Sequence, residues 1–310
     1  MNQPDPDTIH QLRTKSNKET YHTLCNLLES HKKVYYTRFG DADILVVMGK
    51  RPANHEVSAG LAEEIRQSLS IEHPRYLRGM VISFPYERGI TKGLFERFYY
   101  NDELAEFIIK NFELTWPSVF ENSWFPNYYT SFHPTDMNRF LDRYIRPKRK
   151  MFIGSVPRQE VQRLVGEIDH YVPIPRKNAY GTINNWWPEI LKHIDNVELV
   201  LPAAGQATRV ISKRLWELDK QVHCIDLGSI VDAVSSFPPS RKWIRLKEHM
   251  VNRILLPEYR DNSVSYWIRY GLKETFLFIR YYFYRLDPLA NVPFLPQAKN
   301  WKPGPRRRKF

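Results

Sequence analysis

Val197-Glu198-Leu199-Val200-Leu201-Pro202-Ala203-Ala204-Gly205-Gln206, continuing through Ala207 to Leu218 and into Val222-His223-Cys224-Ile225-Asp226-Leu227-Gly228, decides the fold. Val197 to Pro202 is an apolar run of strand length, Ala203 to Gln206 is a tight turn, and Ala207 to Leu218 has the length and apolar repeat of a helix. A second apolar strand follows after a short break. Strand, helix and strand in this order read as a parallel crossover unit. The chain is therefore expected to be α/β, with a mostly parallel sheet covered by helices on both faces and ligands gathering at the carboxyl ends of the strands.

The same alternation extends outward from this stretch. Met151 to Ser155 is a strand ending in small residues, and Pro157 suits the first turn of a helix through Val161, Leu164 and Val165. Tyr171 to Pro175 is a short extended piece. Toward the N-terminus, Ser16 or Asn17 caps a helix over Glu19 to His31, Val34 to Thr37 is a strand, and Ser58 to Leu69 is a helix with Leu61, Ile65 and Leu69 on one face. Met80 to Ser83 reads as a buried strand and Asp102 to Phe112 and Thr135 to Ile145 as helices. Trp116 to Phe132, rich in aromatics, Pro and Asn, reads as a loop or lid.

The strand ends carry the residues of chemical interest. Arg38-Phe39-Gly40-Asp41-Ala42-Asp43 closes the first strand, Gly154-Ser155 another, Ala204-Gly205 a third, and Asp226 with Gly228 a fourth. A parallel sheet brings these loops to one rim. Asp41 and Asp43, separated by one small residue, can both reach a hard cation such as magnesium, manganese or calcium; alternatively Asp41 caps a following helix. Gly205 between strand and helix lets backbone N–H groups face a phosphate, or simply makes the turn. Asp226 is a candidate ribose contact, base or third metal ligand, or a cap. No G-x-G-x-x-G, P-loop, H-E-x-x-H or G-x-S-x-G spacing occurs, which removes support for zinc and serine hydrolases.

The net charge of +12 over 310 residues is concentrated: residues 241–310 hold 16 Lys plus Arg against 5 Asp plus Glu, a balance of +11. Residues 1–240 are read as one nearly neutral domain and 241–310 as a basic, aromatic-rich helical extension ending in a disordered tail. Within the extension, residues 264–286 combine a basic stripe with aromatic residues, a pattern suited to docking on the main domain or to peripheral contact with an anionic membrane; no nucleic-acid-binding module is visible. The start of the chain has neither the basic nor the apolar region of a secretion signal, so a cytoplasmic location, at most peripheral on the inner face of the membrane, is expected. Cys25 and Cys224 read as buried free thiols.

Arg38 to Asp43 resembles the Arg-Phe-Gly-Asp-Gly-Glu signature of the GT-D type bacterial glycosyltransferases, long catalogued as a domain of unknown function. Ile174-Pro175 with Asn178-Ala179-Tyr180, Leu201 to Gly205 and Ile225 to Gly228 are similar to that family in order and spacing, over roughly residues 15 to 235. Ala42 stands for Gly, Asp43 for Glu, and Ser229 where a His is often found. The resemblance implies a Rossmann-like sheet with a divalent metal and a nucleotide-sugar donor; the leading expectation is a metal-dependent transferase moving a sugar from a nucleotide-diphosphate sugar to a hydroxyl on a glycan, glycoprotein or lipid-linked glycan. Asp41 and Asp43 would hold Mn²⁺ or Mg²⁺, with Asp226 as a further catalytic residue. Arg38, Gly40, Gly154, Ser155 and Gly205 would face the donor, and the acceptor would enter along Trp116 to Phe132. A Rossmann-like methyltransferase, or an adaptor acting through residues 241–310, are the competing expectations.

Overall fold

The structure is a computed structural model describing residues 13–30, 32–52, 57–82, 107, 108, 111, 119–234 and 254–256. Eight strands form one sheet: β1 (Arg13–Thr14), β2 (Tyr35–Phe39), β3 (Tyr76–Met80), β4 (Val119–Asn122), β5 (Lys150–Gly154), β6 (His170–Pro173), β7 (Leu199–Ala203) and β8 (His223–Ile225). Their order is β1-β4-β3-β2-β8-β7-β5-β6, and every pairing within it is parallel. The expected α/β architecture is present. Because all strands run one way, their carboxyl ends share one edge, with Phe39 beside Met80, Met80 beside Asn122 and Gly154 beside Ala203.

Alternation along the strands divides the core into two layers, since successive side chains point to opposite faces. Tyr35, Phe39, Met151, Ile153, Val200 and Cys224 face one layer; Tyr36, Phe152, Leu199, Leu201 and Ile225 face the other. The first layer receives α2 (Asp41–Val47), α3 (Ala59–Ser70), α7 (Ile183–His193) and α8 (Ala207–Glu217). The second receives α1 (Asn17–Leu28), α4 (Phe125–Phe132), α5 (Pro134–Phe140), α6 (Arg158–Val165) and α9 (Ile230–Val234). Leu255 and Leu256 are fully buried in this second layer, where the Leu255 carbonyl accepts from Arg146 at 2.6 Å.

Local signals place several of these helices. Ser16 accepts from the Glu19 N–H while Glu19 reaches back to the Ser16 N–H, a capping box that opens α1. Ser58 caps α3, and Pro157 sits at the N-cap of α6. Inside the first layer, the Thr37 hydroxyl donates to the Ser212 hydroxyl at 2.6 Å, pinning α8 over β2.

Expectations for one strand and one loop differ. The strand expected at Met80 to Ser83 lies at Tyr76–Met80 instead. Arg78 and Gly79 interrupt the apolar run, yet Arg78 is buried with its guanidinium on the Leu69 carbonyl and Glu72, and a side chain at Gly79 would press on the Ser123 Cα at 3.2 Å and the Tyr36 ring at 3.3 Å. The aromatic segment is no open loop from Val119 onward: it forms β4 and α4. Phe120 and Phe125 are fully buried and Tyr129 stacks on Tyr21 at 4.6 Å, so apolar burial rather than an open binding surface explains these rings.

Cys224 is a buried free thiol as expected, whereas Cys25, expected to be buried, is a half-buried free thiol on α1. Among the described residues no helix is long and apolar enough to cross a membrane. The expected Asp102 to Phe112 helix, the 264–286 segment and the charged tail lie largely or wholly outside the described residues.

Candidate active site

β2 ends at Phe39 and α2 begins almost at once, with Gly40 as its N-cap. The two acidic residues therefore leave the turn differently. Asp41, at the first helical position, is exposed; Asp43, at the third, is 3% exposed and folds back so that its Oδ2 accepts from the Gly40 N–H at 2.7 Å. The capping role weighed for Asp41 thus falls to Asp43.

A second element closes on Asp43. Arg209, in the first turn of α8, places Nη2 2.8 Å from Asp43 Oδ2, donates from Nη1 to the Gly205 carbonyl at 2.9 Å, and holds the same Nη1 3.4 Å from Asp226 Oδ2. Asp226, just past β8, has its other oxygen 3.2 Å from Arg38 Nε. Arg38 in turn donates from Nη1 to the Ser123 carbonyl at 3.1 Å, beyond the end of β4. Gln206 adds a tie by donating from Nε2 to the Ala42 carbonyl at 3.0 Å. A continuous chain of alternating charge, Asp43, Arg209, Asp226, Arg38, thus crosses the rim where β2 and β8 lie side by side.

Burial sets the electrostatics of this chain. It pushes the Asp43 carboxyl up to about 6, against the opposing pull of the Arg209 guanidinium and the Gly40 N–H; Asp226 and Asp41 push in the same direction as burial. Among the described residues Asp43 Oδ1 is buried without a hydrogen-bond partner, an exception among buried polar atoms. Gly228, at φ +58°, lets Arg38 pass: a Cβ there would lie 1.4 Å from Arg38 Nη2 and 2.2 Å from Cζ.

The remaining expected residues occupy the same rim in different settings. Gly205 has φ +59°, and a Cβ there would meet nothing within 4 Å, so its turn is open above the start of α8. Gly154 is closed: a Cβ would meet the Phe152 ring at 2.5 Å and the Ala203 Cβ at 3.3 Å, so packing alone accounts for the glycine. Ser155 is half-buried at the end of β5, with β7 between that strand and β8. The Gly40 N–H is already taken by Asp43. Arg209, Gln206 and Ser123 were not legible as site residues. Their one signal is position, since each stands close to a strand or turn that ends at the rim.

Two carboxylates stand at this turn: Asp41, open to solvent, and Asp43, whose Oδ1 is buried and has no partner among the described residues. Hard oxygens of this kind fit Mg²⁺ or Mn²⁺, which commonly take one or two carboxylates and complete their shell with water and phosphate. Among the described residues no group of three or more His, Cys, Asp or Glu converges, so a cation here would draw its other ligands from solvent and a bound substrate.

No protein-family model and no curated protein matches the sequence. Solved structures do. A structure described as a new glycosyltransferase, DUF1792, from Streptococcus sanguinis superposes with a TM-score of 0.52 at 15% identity, covering 74% of this chain and 87% of that one. One described as the highly conserved domain of unknown function 1792 with a distinct glycosyltransferase fold gives 0.51 at 16% identity, over 72% and 80% of the two chains. A selenomethionine-substituted structure of the same domain gives 0.50 at 16% identity with the same coverage. The chain shares its fold with these domains.

Proposed function

We propose that this chain is a glycosyltransferase that takes a sugar from a nucleotide-diphosphate sugar and passes it to a hydroxyl acceptor on a glycan, glycoprotein or lipid-linked glycan. The observation that carries the reading is the buried chain Asp43–Arg209–Asp226–Arg38 at the carboxyl rim of a parallel sheet, flanked by exposed Asp41 and the open Gly205 turn. Ligands of such sheets gather at this rim. The fold shared with domains described as glycosyltransferases agrees with it.

Two positive and two negative groups in the chain cancel, so the chain as a whole brings no net charge to a departing diphosphate. Asp41 and Asp43 would hold Mn²⁺ or Mg²⁺, which supplies that neutralisation when bound. Asp226, with a guanidinium beside each oxygen, anchors both arginines and so fixes the β2 and β8 loops to one another. The Gly205 turn and the N-terminus of α8 present favourable potential to the phosphates. Burial of Phe120, Phe125 and Tyr129 moves the acceptor path away from those rings; of the aromatic segment, Trp124 and Tyr128 remain half-buried. The enzyme is proposed to work in the cytoplasm, with residues 264–286 as its contact with an anionic membrane.

A panel of nucleotide sugars, assayed with Mn²⁺ or Mg²⁺ for release of free nucleoside diphosphate, tests the reading. Release from at least one donor, abolished by a chelator, is expected. Release that survives chelation removes the cation, and no release across the panel removes the activity.

A further inference from the structure

Arg209 is a fixed positive charge at the position where a cation is expected. Its guanidinium is held from three sides, by the Gly205 carbonyl, Asp226 and Asp43. Two of these anchors do not involve Asp43, so the charge stays in place whatever Asp43 binds. Among the described residues Arg209 Nε is buried without an acceptor, as Asp43 Oδ1 is without a donor. The clamp thus keeps one unspent donor, suited to a phosphate oxygen, and one unspent acceptor, suited to a cation.

A divalent cation approaching Asp43 alone meets a carboxylate already neutralised by a guanidinium 2.8 Å away. Within a few ångströms, in a partly buried site, repulsion from the fixed guanidinium cancels a large part of the carboxylate's attraction for the cation. A diphosphate reverses that balance, because its charges attract the cation and the guanidinium together.

We infer that Arg209 is an internal counter-ion of the cation site, holding Asp43 so that a divalent cation binds weakly by itself and tightly only together with a diphosphate. The inference rests on the cation-assisted diphosphate reading above and adds the order it imposes: cation and donor load cooperatively. Coupling of this kind is reciprocal, so Mn²⁺ tightens nucleotide binding by the same factor that nucleotide tightens Mn²⁺ binding.

The test is Mn²⁺ binding followed by electron paramagnetic resonance and calorimetry, with the full chain, in the absence and presence of saturating uridine or guanosine diphosphate. For the unaltered protein, Mn²⁺ alone is expected to bind at least about tenfold more weakly than with nucleotide. Arg209→Gln is expected to bind Mn²⁺ alone about tenfold more tightly than the unaltered protein and to gain less from nucleotide. Arg209→Lys keeps the charge and should stay within about threefold of the unaltered pattern. Where Arg209→Gln fails to fold, the coupling in the unaltered protein and the Arg209→Lys result decide. Equal Mn²⁺ affinity with and without nucleotide, or no tightening in a folded Arg209→Gln, overturns the inference. Nucleotide binding indifferent to Mn²⁺ overturns the counter-ion role and leaves the donor site standing, whereas failure to bind either ligand removes the donor reading and the inference with it.

Discussion

Gly228→Ala and Gly205→Ala form a matched pair that measures how firmly Arg38 is held. Both glycines have nearly the same φ, +58° and +59°, so an alanine at either carries a similar left-handed strain of about 1 kcal/mol. They differ in space. A Cβ at Gly205 meets nothing within 4 Å, whereas one at Gly228 would lie 1.4, 2.2 and 2.7 Å from Arg38 Nη2, Cζ and Nη1. The guanidinium cannot stay, and its departure breaks the contact with Asp226 and the hydrogen bond to the Ser123 carbonyl. Breaking a buried pair costs about 3 to 5 kcal/mol; Asp226 keeps Arg209, which favours the lower end. Gly228→Ala is thus expected to lose about 4 kcal/mol and Gly205→Ala about 1 kcal/mol. Urea unfolding followed by fluorescence reads that difference of about 3 kcal/mol as a shift in midpoint at constant m. If the two variants fall within about 0.5 kcal/mol of each other, Arg38 is not confined beneath Gly228 and the charge chain is looser than described.

Three further outcomes are expected. In chelator-treated protein Asp43 has its carboxyl raised from the usual 3.8 to about 6, so the folded state holds the extra proton in that window; this contribution is full below about 3.8 and is lost as pH rises through about 6. Asp43→Asn should therefore remove that part of the pH dependence in denaturation series, and at pH 7.5 be no less stable than the unaltered protein, gaining up to about 3 kcal/mol, while donor turnover falls at least about a hundredfold. A loss of stability in Asp43→Asn would instead make Asp43 a structural ion pair. Gly154→Ala forces a methyl against Phe152 and should cost about 1 to 3 kcal/mol in urea unfolding, with the donor KM unchanged; a raised KM with unaltered stability would contradict the packing role. Asp41→Asn, at an exposed position, should leave stability within about 0.5 kcal/mol and weaken Mn²⁺ binding in the presence of nucleotide, as read by calorimetry.

Much of this was legible in the chain because strand ends carry strong punctuation. The run from Val197 to Gly228 announced a parallel crossover, and Arg38 to Asp43, Gly154, Gly205 and Asp226 do lie along one rim of the sheet. The errors came where tertiary context overrode local composition. Arg78 and Gly79 look unlike a buried strand until Leu69, Glu72, Ser123 and Tyr36 are packed around them. The aromatic segment read as a lid because Pro and Asn break its pattern, yet its rings fill the layer between α1 and β2. Arg209 was invisible for a different reason. An arginine in an amphipathic helix normally faces solvent, and only the meeting of α8 with the β2 and β8 loops turns this one inward to join two carboxylates far apart in sequence.

Anomalous diffraction from crystals grown with Mn²⁺ and a nucleoside diphosphate shows whether a cation-assisted donor site spans the β2, β7 and β8 loops. An anomalous peak is expected against Asp41 and Asp43, with the diphosphate between that peak and the Gly205 turn. A nucleotide bound elsewhere, or a Mn²⁺ peak remote from both carboxylates, would contradict it.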